Sequence, residues 1–180
     1  MSTLRFQSRR QAGLAALYLG VFATFWFSVP AVDPPLRALL MVASGAALVT
    51  AVIGAVVVAR SRAGEAFTGD RATDRRYLLI VGAEFAAAGL GAVGLALAGW
   101  PEFIPVLVCA AVGLHFFPLV PLLRDPLLWL LGAAVCAVAV AGLVTALVSA
   151  VPAGLVVGPG TGMLLLGYVV LALVRAARQR

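Results

Sequence analysis

Lysine is absent from this chain, histidine occurs once, and charged residues of every kind make up only 11% of it. Soluble domains carry about 25% charged residues, so a water-facing surface for a fold of this size has too little to be made from. Cysteine is equally sparse. Cys109 and Cys136 both sit inside apolar runs without Cys-x-x-Cys spacing, which argues against a disulfide or zinc framework and leaves them as small core residues. The sequence has no HExxH, no GxSxG and no P-loop. One histidine with one nearby carboxylate is too small a ligand set for structural zinc. The thirteen basic residues are all Arg, giving a net charge of +6. A pI near 10.7 is of the kind seen in nucleic-acid binders. Here the arginines fall at the ends of apolar runs, so nucleic acid is not expected as a partner.

What the chain has is hydrocarbon. Hydrophobic residues make up 63% of its 180 positions and the mean hydropathy is +1.11. Lipid must therefore be the solvent for much of this surface. A spanning helix needs about 20 apolar residues, and runs of about that length cover 12–29, 36–59, 77–98, 103–123, 127–148 and 153–174. Pro30 to Pro35, Gly99-Trp-Pro101, Arg124-Asp-Pro126 and Ser149-Ala-Val-Pro152 separate them, and each contains a proline that resists helix continuation. The one long polar loop is 60–76, with five Arg and three acids. The expected fold is all-α: a polytopic membrane protein forming a single six-helix domain over 1–180. A cleaved signal peptide is the alternative for the first run, since Val29-Pro-Ala31 loosely suits a cleavage site. The length of the run, its aromatic residues and the proline beside that site favour a retained helix.

Six spans put both termini on one side. Twelve of the thirteen arginines then fall on that side and only Arg37 on the other. The positive-inside rule places the termini in the cytoplasm of a bacterial inner membrane. Trp26 and Trp100 fall near the outer helix ends, and Trp129 and Tyr77 near the inner ends, as interfacial belts require. Arg75 and Arg76 are expected to meet anionic headgroups.

Two strongly ionisable side chains lie deep inside apolar runs, Glu84 in the third and His115 in the fourth. Charge at membrane depth is expensive, so such groups face protein and find partners. Glu84 is about 10 Å from the inner end of its helix and His115 about 12 Å from that of an antiparallel neighbour. The pair can meet. The face of the third helix carrying Glu84 is expected to continue through Ala87, Ala88, Gly91 and Gly94, small residues that let a neighbour approach. Tyr18 and Tyr168 fall in the same layer as possible supporting residues. Pro118 and Pro121 withdraw helix hydrogen bonds from the Leu114 and Phe117 carbonyls. A kink is the plainer outcome; a ligand or ion site lined by those carbonyls is the alternative. Gly158-Pro-Gly-Thr-Gly162 reads as a break in the sixth helix, either a transporter-like discontinuity or a packing site for glycines.

The stretch Gly113-Leu-His-Phe-Phe-Pro-Leu119 resembles one found in small, uncharacterised bacterial multi-pass membrane proteins of similar length. The resemblance implies the helical layout and brings no activity with it.

These residues support three functional readings. The leading one is small-solute transport or ligand binding at a Glu84–His115 site whose proton is shared by a coupled pair. Its partners are the lipid bilayer, a small polar solute or a proton, and a second copy of the chain. The competing reading is a non-catalytic subunit or scaffold acting through helix packing, with the pair as a simple interhelical hydrogen bond. An intramembrane enzyme comes third. No cofactor is expected; haem on His115, with Met163 opposite, is the less favoured option. The topology is open to direct test. Green fluorescent protein fused to either terminus should fluoresce, and alkaline phosphatase fused at either terminus should be inactive. The opposite result at one terminus would mean an odd number of spans.

Overall fold

In hydrocarbon every backbone N–H and C=O must be satisfied inside the segment, so runs of Ala, Leu, Val and Gly without interior charge become helices. A computed structural model of the chain describes residues 9–61, 71–123 and 125–178. Arg5, the loop positions 62–70, Arg124 and Arg180 lie outside the described residues, as do the side chains of Arg75, Arg76 and Tyr77. The elements are α1 (Arg9–Ser28), α2 (Leu36–Arg60), α3 (Arg71–Leu97), a 3-10 turn (Pro101–Phe103), α4 (Ile104–Leu123), α5 (Leu127–Val148) and α6 (Ala153–Arg178). No strand occurs among the described residues. Among the described residues, five helices are long and apolar enough to cross a bilayer: α1, α2, α4 with its 3-10 turn, α5 and α6. Within α3 a shorter apolar stretch, Val81–Leu97, is found among the described residues.

Three expectations from the sequence need correction. The third helix starts at Arg71, not Tyr77, because Arg71-Ala-Thr-Asp-Arg-Arg76 contains no Gly or Pro and each further residue adds a helical hydrogen bond. The sixth helix is unbroken at Gly158–Gly162, with Pro159 inside a helix that runs to Arg178. Proline there removes only the bond to the Leu155 carbonyl. Trp26 is 2% exposed and so belongs to the core and not to an interfacial belt. Trp100 and Trp129 are exposed.

The chain forms two units. The first holds α1, α2 and α6 from Gly158 onward; the second holds α3, α4, α5 and the start of α6 up to Val157.

In the first unit α1 and α2 meet along a seam of small residues, with Ala16, Gly20 and Ala23 buried on one side and Ala47, Ala51 and Gly54 on the other. A Cβ on Gly54 would stand 2.5 Å from the Leu17 amide nitrogen and 2.6 Å from the Gly13 carbonyl oxygen. The two backbones are thus in direct contact, the geometry that small-xxx-small spacing permits. Further along the seam, Ser44 donates its hydroxyl to the Thr24 carbonyl at 3.0 Å, and Thr24 donates to the Gly20 carbonyl at 3.0 Å. The glycines of α6 seat the end of α1: a Cβ on Gly158 would lie 2.8 Å from the Trp26 carbonyl oxygen, and one on Gly162 would lie 2.8 Å from the Phe27 ring. The packing alternative for this segment therefore holds.

In the second unit α4 lies on α5 at a second close crossing. A Cβ on Gly113 would be 2.6 Å from the Cys136 sulfur and 2.9 Å from its backbone nitrogen. Cys109, buried, donates its thiol to the Val135 carbonyl at 3.4 Å. Both cysteines are thiols with packing roles. Asp125 Oδ1 accepts the Leu127 amide at 3.0 Å, an Asx turn that leads into α5 behind its N-cap residue Pro126.

Adding one methyl at the tightest seam should be costly because backbone atoms have nowhere to go. Gly54→Ala is expected to destabilise the protein by about 1–3 kcal/mol. Gly45→Ala, whose new Cβ meets nothing within 4 Å, should melt like the wild type. Thermal melts in one detergent compare them; equal melting of the two variants would rule out the seam.

A carboxylate–imidazole pair as the candidate functional site

The register of α3 against α4 is set at their connection. Gly99 has φ of +80°, a left-handed conformation that glycine adopts without steric cost. The Trp100 amide donates to the Leu95 carbonyl at 2.9 Å and the Gly99 amide to the Ala96 carbonyl at 3.1 Å. This is the Schellman arrangement that closes a helix C-terminus. Pro101, with its φ preset and no amide to satisfy, then opens the 3-10 turn. From this hairpin Gly91 lies seven residues back from Ala98 and Leu107 six residues on from Pro101. They touch: a Cβ on Gly91 would stand 2.7 Å from Leu107 Cδ2. Glu84 and His115 are each fourteen residues from the same two positions, about 21 Å along each helix.

They meet as that register requires. His115 Nδ1 and Glu84 Oε2 are hydrogen-bonded, with the histidine side chain 19% and the glutamate side chain 30% exposed. The contact has two protonation descriptions: an Nδ1–H donating to a carboxylate, or a carboxylic acid donating to a neutral ring. Neighbouring residues orient the imidazole. Gly113 and Phe116 turn toward α5, where a Cβ on Gly132 would lie 3.1 Å from Phe116 Cβ. The His115 and Phe116 ring centroids are 6.3 Å apart, and Phe117 meets Trp129 edge to face at 6.2 Å. With α4 held against α5 by one stripe, His115 is left on the stripe that faces α3.

The supporting residues divide. On α3, Ala88 and Gly91 are half-buried with Glu84, whereas Ala87 and Gly94 are exposed, and a Cβ on Gly94 would meet nothing within 4 Å. Helix pitch explains the difference. At 3.6 residues per turn Ala88 and Gly91 stay within about 40° of Glu84, while Ala87 and Gly94 swing about 60–80° to one side. Pro118 and Pro121 lie inside a continuous α4. Tyr18 is 62% exposed on α1 and Tyr168 is buried on α6; both belong to the first unit, while Glu84 and His115 belong to the second. Met163, the alternative haem ligand, is exposed and also in the first unit. Sequence reasoning passed over the Thr24–Ser44 crossing and the fully buried Thr161. Their signal was a hydroxyl placed among small residues on a helix stripe.

No family model matches the chain, and no curated protein or solved structure is significantly similar to it.

The pair's contribution is measurable. In a double-mutant cycle, Glu84→Ala and His115→Ala should show a coupling of about 0.6–2 kcal/mol, the range for interhelical hydrogen bonds in membrane proteins. Additive losses would mean that the two side chains do not act as a pair.

Proposed function

We propose that the chain is a six-span protein of a bacterial inner membrane, with both termini cytoplasmic, that binds or transports a small polar solute at the Glu84–His115 pair. The observation that carries this reading is the pair itself: two ionisable side chains, well inside apolar helices, joined at incomplete burial. Ionisable groups at membrane depth are costly, and they mark solute and proton paths more often than they serve packing alone. A pair meant only to fasten two helices would be favoured by closing off its surroundings. This one keeps part of each side chain accessible. The six-span count follows from taking α3, which is 27 residues long, as a full span. The arginine asymmetry supports the orientation.

A second reading has its own support. Gly82, Gly89 and Gly94 of α3 have open space where a side chain would stand, and a surface of small residues suits a neighbouring helix. On that reading the protein is a non-catalytic subunit or scaffold, and the pair locks α3 to α4.

Glu84→Gln separates the two, because the amide keeps a hydrogen bond to the ring but cannot exchange a proton. Purified wild type and variant are screened for melting shifts with a panel of small polar solutes. Both are also assayed in liposomes, under an imposed potential, for proton uptake read by an internal pH dye. The transport reading expects a solute shift or proton flux in the wild type, lost in Glu84→Gln at unchanged melting temperature. Identical behaviour of the two proteins in both assays, with a lower melting temperature for the variant, decides for the scaffold. An absorption and native mass spectrum of the same sample reports any bound haem and the oligomeric state.

A further inference from the structure

We propose that the end of the first unit carrying Arg9, Arg60, Arg175 and Arg178 is a binding site for the headgroup of an anionic phospholipid. It is separate from the Glu84–His115 pair and does not depend on it. Arg9 lies four residues back along α1 from Gly13, and Arg60 three residues on along α2 from Val57; a Cβ on Gly13 would be 3.0 Å from the Val57 side chain. The two arginines are therefore level. From the Gly162–Phe27 contact, Arg178 is sixteen residues on and Arg9 eighteen residues back. That brings them level to within about 3 Å of helix rise. The buried stripe of α6 continues through Ala172 and Ala176, so the helix stays packed up to its last turns. Arg175 stands one turn inside Arg178.

All four arginines are exposed. Among the described residues of this unit the only acid is Asp33, in the α1–α2 connection at the opposite end, where Arg37 offsets it. Three helix ends thus gather cations at one level with no described carboxylate to neutralise them. Guanidinium groups suit phosphate because their donors form a planar fork.

The surface beneath the cations identifies the ligand as a lipid and not a soluble anion. On α2, Ile53, Val56 and Arg60 share one exposed stripe; on α6, Leu171, Val174 and Arg178 share another. Each stripe places a cation at the helix end and bare aliphatic side chains one and two turns below it. That order matches a phospholipid, with its phosphate among the guanidiniums and its acyl chains along the valines and leucines. Nucleic acid or a free anion has no use for the lower half of this surface.

The test uses the full-length protein in nanodiscs of equal parts phosphatidylglycerol and phosphatidylcholine, followed by native mass spectrometry of the lipids that stay bound. Wild type should retain phosphatidylglycerol with about tenfold preference, since each arginine at an anionic surface adds to the attraction and those of three helix ends act together. The combined variant Arg9→Gln, Arg60→Gln, Arg178→Gln should lose the preference, while Arg37→Gln, at the other end, should keep it. Melting in nanodiscs of phosphatidylcholine alone checks that the combined variant is folded. If it is not, the single variants Arg60→Gln and Arg178→Gln should each lower the preference severalfold. The proposal is overturned if wild type shows no preference, or if the folded combined variant, or the single variants, keep it in full. It is equally overturned if Arg37→Gln loses as much, or if millimolar inorganic phosphate displaces the bound lipid, which would identify a site for the free anion.

Discussion

Contact between helix backbones is the constraint on which the rest of this protein depends. Apolar side chains gain nothing by leaving lipid for one another, so helices in a bilayer associate through van der Waals contact, hydrogen bonds and close approach. Gly54 against Leu17 and Gly13 in the first unit, and Gly113 against Cys136 in the second, bring main chains together where a methyl group would collide. Hydroxyl and thiol donors reinforce these crossings, from Ser44 to the Thr24 carbonyl and from Cys109 to the Val135 carbonyl. Both use a backbone acceptor on the neighbouring helix, which needs no second polar side chain in the apolar layer.

The Glu84–His115 contact follows from that packing. Once Gly113 and Phe116 fix the side of α4 that lies on α5, the helix pitch leaves His115 for α3. The capped turn at Gly99 then determines which residue of α3 stands opposite. Glu84 is that residue. The chemistry of the pair is thus set by two local features, a glycine crossing and a glycine cap, neither of which touches the ionisable groups. Its partial exposure matters as much as its existence. The histidine side chain is 19% and the glutamate side chain 30% exposed, so α3 and α4 do not enclose the pair on their own.

Charge elsewhere is arranged by the helix ends. Arginines are excluded from the apolar lengths and collect where α1 begins and α2 and α6 finish. The same asymmetry bears on two separate questions: which way the chain inserts, and what the exposed cations of the first unit meet once it has inserted.

Much of this was legible in the chain. Composition and run length determined the all-helical class, and prolines and glycines determined most helix boundaries to within a few residues. Similar depths from the inner ends of two helices joined by a short turn were enough to let Glu84 and His115 meet. Other features needed the tertiary structure because their signals are local and permissive. Pro159 reads as a breaker, but a helix held by packing on either side tolerates one missing hydrogen bond, and its flanking glycines seat Trp26 and Phe27. Trp26 reads as an interfacial anchor and is instead buried. Ala87 and Gly94 share the small size of Ala88 and Gly91, yet point away from α4 because of helix pitch. The sequence by itself determined which segments can live in lipid and how far each ionisable group lies from a turn, since both depend on composition and distance along the chain. Only the tertiary structure decided which stripe of each helix faces a neighbour, because several faces carry small residues and only the backbone crossings choose among them.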